Sequence, residues 1–426
     1  MNKTVVKQTF IYVLTDGISR AISFLLLPFV SFYLVPEQLG IAANFDVLQN
    51  ILMLLAGQAI VNAIPYFYYG KSKEEVATLV SMLLLIVLVL NVIFSVIIFL
   101  SFGLIEGYLK IGLGLQLLTI VSVITTLCSQ ADLILFRLEE RPYVFSALQL
   151  FQCFTYFGLI ILLVIDWRME AVGRIFSSVI SWFAAFVIHF ILLLKRGYLA
   201  FRFDKKVIKD LLKFGLPLLP HSLSFWLKSG MDKVLITTYC GLAANGLYSM
   251  AMNIGAIYSI FRTAFSNAYT PYLQKRINAI SSENEASEKK CLVKLSYELA
   301  VLFVLLYFIL VAVCWFIIFY VLDVKYRDAY QFIPWILCAL TINSFYTLVI
   351  EYPYAIKKTM GLGLITFTGS LIQLLLTYVL IRTIGLNGIK YSLVLGAFII
   401  MVGVWIYSNK VYPMPWFTFF LKRKKK

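Results

Sequence analysis

Twelve apolar stretches, each about as long as a bilayer is thick, constrain this chain more than any other feature. A helix crossing the hydrocarbon needs about 20 predominantly apolar residues. The sequence offers Phe10–Leu34, Ile41–Tyr69, Thr78–Phe102, Leu113–Phe136, Tyr143–Ile165, Val172–Leu194, Phe214–Cys240, Gly246–Leu273, Leu295–Val321, Ile333–Ile356, Met360–Ile381 and Ile389–Val411. The bilayer interior has no water to satisfy backbone N–H and C=O groups, so such stretches cross as helices. With 61% of 426 residues hydrophobic and 14% charged, little chain remains for a soluble domain. The first stretch is too long for a signal-peptide core and reads as a retained membrane helix.

The net charge of +16 does not point to nucleic acid, because no basic soluble domain exists to carry it. The charge instead sorts by side. If the N-terminus is cytoplasmic, 26 of the 37 Lys and Arg fall in inner segments and seven, Arg174 among them, in outer segments and helix edges. Four lie within helices: Arg20, Lys228, Lys233 and Arg262. That bias predicts an even number of crossings with both termini inside.

Two inner connections are long. In Lys195–Lys213, Phe203, Val207, Ile208, Leu211 and Leu212 recur at helical spacing, with Lys205, Lys206, Lys209 and Lys213 largely elsewhere around the turn. An amphipathic helix on the inner leaflet is expected there, joining two halves. Gln274–Lys294 is polar and reads as a solvated loop. The tail, Leu421 to Lys426, reads as an anionic-lipid contact. The expected organisation is a first lobe over residues 1–202, a linker over 203–213 and a second lobe over 214–426. Six crossings per lobe give parallel repeats. An offset of 206 residues superposes Tyr33 on Tyr239, Gly40 on Gly246, Ile51 on Ile257, Pro65 on Pro271 and Tyr66 on Tyr272. The fold class is all-α: twelve membrane helices in two six-helix lobes around a central cavity.

Charges inside membrane helices are costly, roughly 2.5–3.5 kcal/mol each on insertion scales, and usually mark a site. Asp16, Arg20 and Ser23 share one face of the first helix, where Asp16 and Arg20 can pair. The second helix carries Asp46, Gln49, Asn50, Gln58 and Asn62, too polar a set for lipid. The seventh carries His221, Ser224, Lys228 and Asp232 along one face with Lys233 beside it, and the eighth carries Asn253 and Arg262. Arg20, Lys228 and Arg262 fall at similar depth, so helices one, two, seven and eight are expected to line a cationic cavity. Arg20, Lys228, Lys233 and Arg262 are the candidate binding residues. Asp16, Asp46, His221 and Asp232 are candidates for coupling or cavity shape, His221 because imidazole changes charge near neutral pH. The salt bridges Asp16–Arg20 and Lys228–Asp232 offer a purely structural alternative. Asp132, His189 and Glu351 lie near inner helix ends, where headgroups are in reach, and take no role. Six cysteines without a CxxC pair predict neither a metal site nor a disulfide framework. No nucleotide, hydrolase or metalloprotease motif is present, so the chain reads as a non-enzyme without cofactors.

The run from Phe214 to Lys233, FGLPLLPHSLSFWLKSGMDK, the segment GLYSMAMNIG from Gly246 to Gly255, and FVSFYLVPEQLG from Phe29 to Gly40 resemble Wzx-type polysaccharide repeat-unit flippases. That family sits in the superfamily of multidrug, oligosaccharidyl-lipid and polysaccharide exporters, and with the twelve-helix layout the likeness covers nearly the whole chain. The resemblance implies a V-shaped, two-lobed, alternating-access transporter of the bacterial plasma membrane. Its substrate would be an undecaprenyl-pyrophosphate-linked oligosaccharide, carried to the outer leaflet for O-antigen, capsule or exopolysaccharide assembly. It further implies membrane lipids, a polysaccharide polymerase and a chain-length regulator as partners. A cationic cavity suits a pyrophosphate, since Arg offers a planar fork to phosphate oxygens. Two alternatives remain: a multidrug exporter of the same superfamily, for which an acidic cavity would be expected, and a membrane polysaccharide polymerase, for which the outer loops are short.

Overall fold

A computed structural model describes residues 3–200, 202–280, 284–356, 358 and 360–416. The basic tail beyond Trp416 lies outside the described residues. Every regular element among them is helical. Ten helices are long and apolar enough to cross a membrane. Six come first: α1 (Lys3–Tyr33), α2 (Pro36–Tyr68), α3 (Lys73–Leu109), α4 (Leu113–Leu138), α5 (Pro142–Asp166) and α6 (Glu170–Lys195). Four come last: α12 (Glu285–Val321), α13 (Ile333–Ala355), α14 (Met360–Ile384) and α15 (Asn387–Val411).

The seventh and eighth apolar stretches are not single helices. The seventh is cut into α8 (Leu219–Ser229) and α9 (Met231–Cys240), the eighth into α10 (Leu242–Gly255) and α11 (Ile257–Asn278). The cuts fall at Gly230 and Ala256, beside glycines whose missing side chain weakens a helix interior. The face expected to run unbroken from His221 to Asp232 is therefore divided between two helices. Helix α2 is also interrupted, at Gly57, whose φ of 135° places it in a region open to glycine.

By internal contacts the chain forms two compact units, Met1–Leu247 and Tyr248–Lys426. In the first, α7 (Lys205–Gly215) is the expected amphipathic helix, started by the Asp204 carboxylate accepting from Lys206 and Val207 N–H. Val207, Ile208, Leu211 and Leu212 pack into the core of this unit, and Lys205, Lys206, Lys209 and Lys213 are exposed. The apolar face thus covers protein. In the second unit, Tyr269, Leu273, Phe303, Tyr352, Val404 and Trp416 share a core.

The connection read as a loop over Gln274–Lys294 is mostly helical: α11 runs to Asn278 and α12 starts at Glu285. Charge pairing explains the difference. Glu285 and Glu288 sit in the first turn of α12, favoured by the helix dipole. Lys289 pairs with Glu285 at 2.7 Å, and Arg276 with Glu288 at 2.9 Å.

Candidate functional site

Unit one gathers two of the candidate residues, Asp46 and Lys233, around α2, with Arg174 as a third group. Asp46 faces Arg174 of α6, with Oδ2 3.2 Å from Nη2. Tyr156 of α5 and Lys233 of α9 lie within electrostatic reach of the same pair. Four helices so bring two basic side chains to one carboxylate. Counted formally, one acid faces two bases, an arrangement that an anion can complete. A guanidinium, an ammonium and a phenol are all donors that a phosphate oxygen accepts from.

Two residues before Asp46, the wholly buried Asn44 holds four helices together. Its Nδ2 donates to the Leu109 carbonyl at the end of α3 (2.6 Å) and lies 3.1 Å from Thr237 Oγ1 of α9. Its Oδ1 accepts from Asn245 Nδ2 of α10 at 2.8 Å. Trp226 Nε1 of α8 donates to the Val47 carbonyl (3.2 Å), adding a tie from α8 to α2.

Close backbone packing accompanies this network. A Cβ added at Gly40 would strike the Leu242 carbonyl, and one at Gly246 would strike the Pro36 carbonyl. Under the 206-residue offset, Gly40 corresponds to Gly246 and Pro36 to Leu242. The two contacts are therefore exchanged by the offset, as an internal two-fold would exchange them. Only glycine permits this approach of α2 and α10.

The other candidate residues are dispersed. Asp16 and Arg20 are both exposed on α1, and no ion pair within 4.0 Å joins them. Asp16 instead accepts from Gln149 Nε2 of α5 at 2.9 Å, because α1 packs along α5 and brings that amide across. Lys228 is half-buried at the end of α8, and Asp232 is buried in the first turn of α9. His221 has its backbone in α8, and its side chain lies outside the described residues. Arg262, in unit two, is half-buried on α11; its Nε is buried and makes no hydrogen bond. Tyr346 lies within its electrostatic reach.

Three residues set aside in the sequence are buried and bonded. Asp132 is 0% exposed. It lies 2.8 Å from His189 Nδ1 and accepts from Arg196 Nη1 at 2.7 Å. Arg196 also pairs with Glu139, which accepts from the Tyr198 hydroxyl at 2.6 Å. Burial, then the Glu139 carboxylate, push the Tyr198 hydroxyl up from its usual range, so it stays a donor. These side chains do not reach headgroups because α4 and α6 pack face to face. The sequence held a signal: Asp132 and His189 stand equally far from the ends of α4 and α6. Glu351 is buried likewise and accepts from Thr270 Oγ1 at 2.7 Å. Arg174 was hidden by its place near a helix start, where a basic residue reads as an interface anchor. Among the described residues, no group of three or more His, Cys, Asp or Glu is arranged to hold a metal.

Residues 5–276 match the family model described as polysaccharide biosynthesis protein. The chain belongs to the polysaccharide biosynthesis protein family. The match spans the motifs at Phe29–Gly40, Phe214–Lys233 and Gly246–Gly255, so the resemblance drawn from them holds. A Haemophilus influenzae protein of the Lsg locus is 21% identical over 422 residues, 96% of this chain and 98% of its own. The fold of this family member is similar to that of the lipid II flippase MurJ in an inward closed conformation. The TM-score is 0.72 at 15% identity, covering 93% of this chain and 87% of MurJ. It is also similar to an inward-facing multidrug resistance MATE family transporter of the MOP superfamily, with a TM-score of 0.70 at 15% identity over 92% and 94% of the two chains. The protein is a multi-pass membrane protein with a fold like that of MurJ and the MATE transporters.

Proposed function

We propose that this protein is a flippase that carries a polyprenyl-diphosphate-linked oligosaccharide from the inner to the outer leaflet by alternating access. The observation that carries this reading is the Asp46–Arg174–Lys233 group, which sets two basic side chains against one carboxylate inside the helical bundle of a polysaccharide biosynthesis protein. A diphosphate is drawn from the headgroup region by such basic groups, and the sugars behind it find the amides of α2, Gln49, Asn50, Gln58 and Asn62. Arg262, with a buried nitrogen lacking any partner, is a second anion-binding group. Arg20 and Lys228 are entry contacts, and Asp16, His221 and Asp232 adjust the cycle.

In this reading α8–α9 and α10–α11 are the seventh and eighth of twelve crossings, broken because they line the path. The lobes are residues 1–202 and 214–426, joined by 203–213, with both termini cytoplasmic. The reciprocal contacts of Gly40 and Gly246 support such a repeat. A polymerase and a chain-length regulator receive the product, which becomes O-antigen, capsule or exopolysaccharide. An exporter of organic cations would place its surplus charge the other way.

Lys233→Ala is expected to lower polymer export about 10- to 100-fold at unchanged protein level. Charged hydrogen bonds contribute roughly 1.5–3 kcal/mol, and each 1.4 kcal/mol is about tenfold. Lys233→Arg should restore much of the loss. Export unchanged in Lys233→Ala, Arg174→Gln and Arg262→Ala, measured by immunoblot of surface polymer, would remove the cationic site from the account.

A further inference from the structure

We propose that a cleft between the N-terminal part of α1 and the start of α5 binds the phosphate headgroup of an anionic phospholipid. The cleft has a volume of about 370 Å³ and is lined by Lys7, Gln8, Ile11, Glu140, Arg141, Pro142, Tyr143 and Val144. That volume lies within the range of built ligand sites. None of these residues belongs to the Asp46–Arg174–Lys233 group or to the Asp132 network, although Arg141 reaches the latter's edge.

The chemistry of the cleft is that of a headgroup site. Lys7 Nζ stands 5.8 Å from the Tyr143 ring centroid, within cation–π range at the cleft. Arg141 is 58% exposed and touches Glu139 only through Nε, at 3.4 Å. A third cation, Arg137, is stacked 4.4 Å from the Phe145 ring close by. The carboxylate in the lining, Glu140, accepts from the Gln8 side-chain amide at 3.3 Å and is turned toward α1. The chain reaches this arrangement by forcing Glu140 to a φ of 55°, a left-handed conformation that costs a non-glycine residue energy. Below the cations, Ile11, Pro142 and Val144 form an apolar floor suited to a glycerol backbone and the start of its acyl chains. Tyr143 is exposed at this level, where amphipathic rings collect at membrane interfaces.

Basic pockets between membrane helices on the cytoplasmic side are established headgroup receptors. By the charge bias of the sequence, the starts of α1 and α5 lie on that side. The phosphate ester recognised here could belong to a bulk phospholipid or to a polyprenyl carrier; the small apolar floor and the exposed position assign it to the phospholipid.

The test uses the full-length protein in nanodiscs containing phosphatidylglycerol or only phosphatidylethanolamine, read by native mass spectrometry and thermal unfolding. One phosphatidylglycerol is expected to stay bound after release from the disc, and to raise the unfolding temperature. The double variant Lys7→Ala, Arg141→Ala should weaken retention at least tenfold while unfolding normally in phosphatidylethanolamine. The control Lys209→Ala, Lys213→Ala, on the exposed face of α7, should retain the lipid. Equal retention in the first variant, or equal loss in the control, would overturn the proposal. Displacement by an equimolar polyprenyl diphosphate would overturn the phospholipid assignment.

Discussion

Asp132→Ala is expected to destabilise the protein by about 3–5 kcal/mol, the usual cost of breaking a buried ion pair from one side. Asp132 is the acceptor for both His189 and Arg196, and it is fully buried. Without it, Arg196 keeps Glu139 and its stacking on the Phe136 and Tyr198 rings, and His189 loses its Nδ1 partner. The damage should spread to the connection after α6, because Arg196 and Tyr198 both anchor that segment to Glu139, which caps the end of α4. Thermal unfolding of purified protein and the level of protein in membranes both read this effect. Arg196→Met in the same chain should recover only part of the loss: it removes the cation left beside the vacated site, but it also takes a partner from Glu139, which then keeps Arg141 and the Tyr198 hydroxyl. A change below about 0.5 kcal/mol for Asp132→Ala would mean that the network is ornamental.

The second large effect is expected at the two reciprocal glycines. In Gly246→Ala the new methyl meets the Pro36 carbonyl, and in Gly40→Ala it meets the Leu242 carbonyl. Neither obstacle is a flexible side chain, so the helices themselves must part. Overpacking of this kind costs about 1–3 kcal/mol, occasionally more. Separation also stretches the Asn245–Asn44 hydrogen bond, now 2.8 Å, and with it the link to Thr237. Each variant should lower both stability and export. Combined, they should cost clearly less than their sum, because helices already parted by one methyl make room for the other. Strict additivity would argue against a shared contact.

Much of the helical architecture was legible because length and apolarity decide it. Ten of the apolar stretches became helices long enough to cross a membrane, α2 with an interruption at Gly57, and their ends are extended by polar turns such as Glu285–Lys294 that hydropathy alone assigns to loops. The breaks at Gly230 and Ala256 were not legible, since composition cannot tell a helix that bends from one that runs on. The candidate site was legible in kind and less so in membership. Asp46 and Lys233 stood out as charges in apolar surroundings, and the structure brings them together. Arg174 did not stand out, because near a helix start a basic residue is cheap. The Asp16–Arg20 pair was inferred from spacing, which permits a contact without choosing it; Gln149 from another helix took the place. The same lesson holds at Asp132 and His189, where the partner lies 57 residues away and tertiary packing alone supplies it.

The most direct measurement follows the lipid itself. In cells lacking this gene, the polyprenyl-diphosphate-linked oligosaccharide would be labelled and its leaflet determined, with and without the gene restored. The account predicts that single complete repeat units accumulate facing the cytoplasm and move to the outer face when the gene returns, but not when Lys233→Ala returns. Complete units reaching the outer face without the gene, yet remaining unjoined, would contradict it and point to a polymerase.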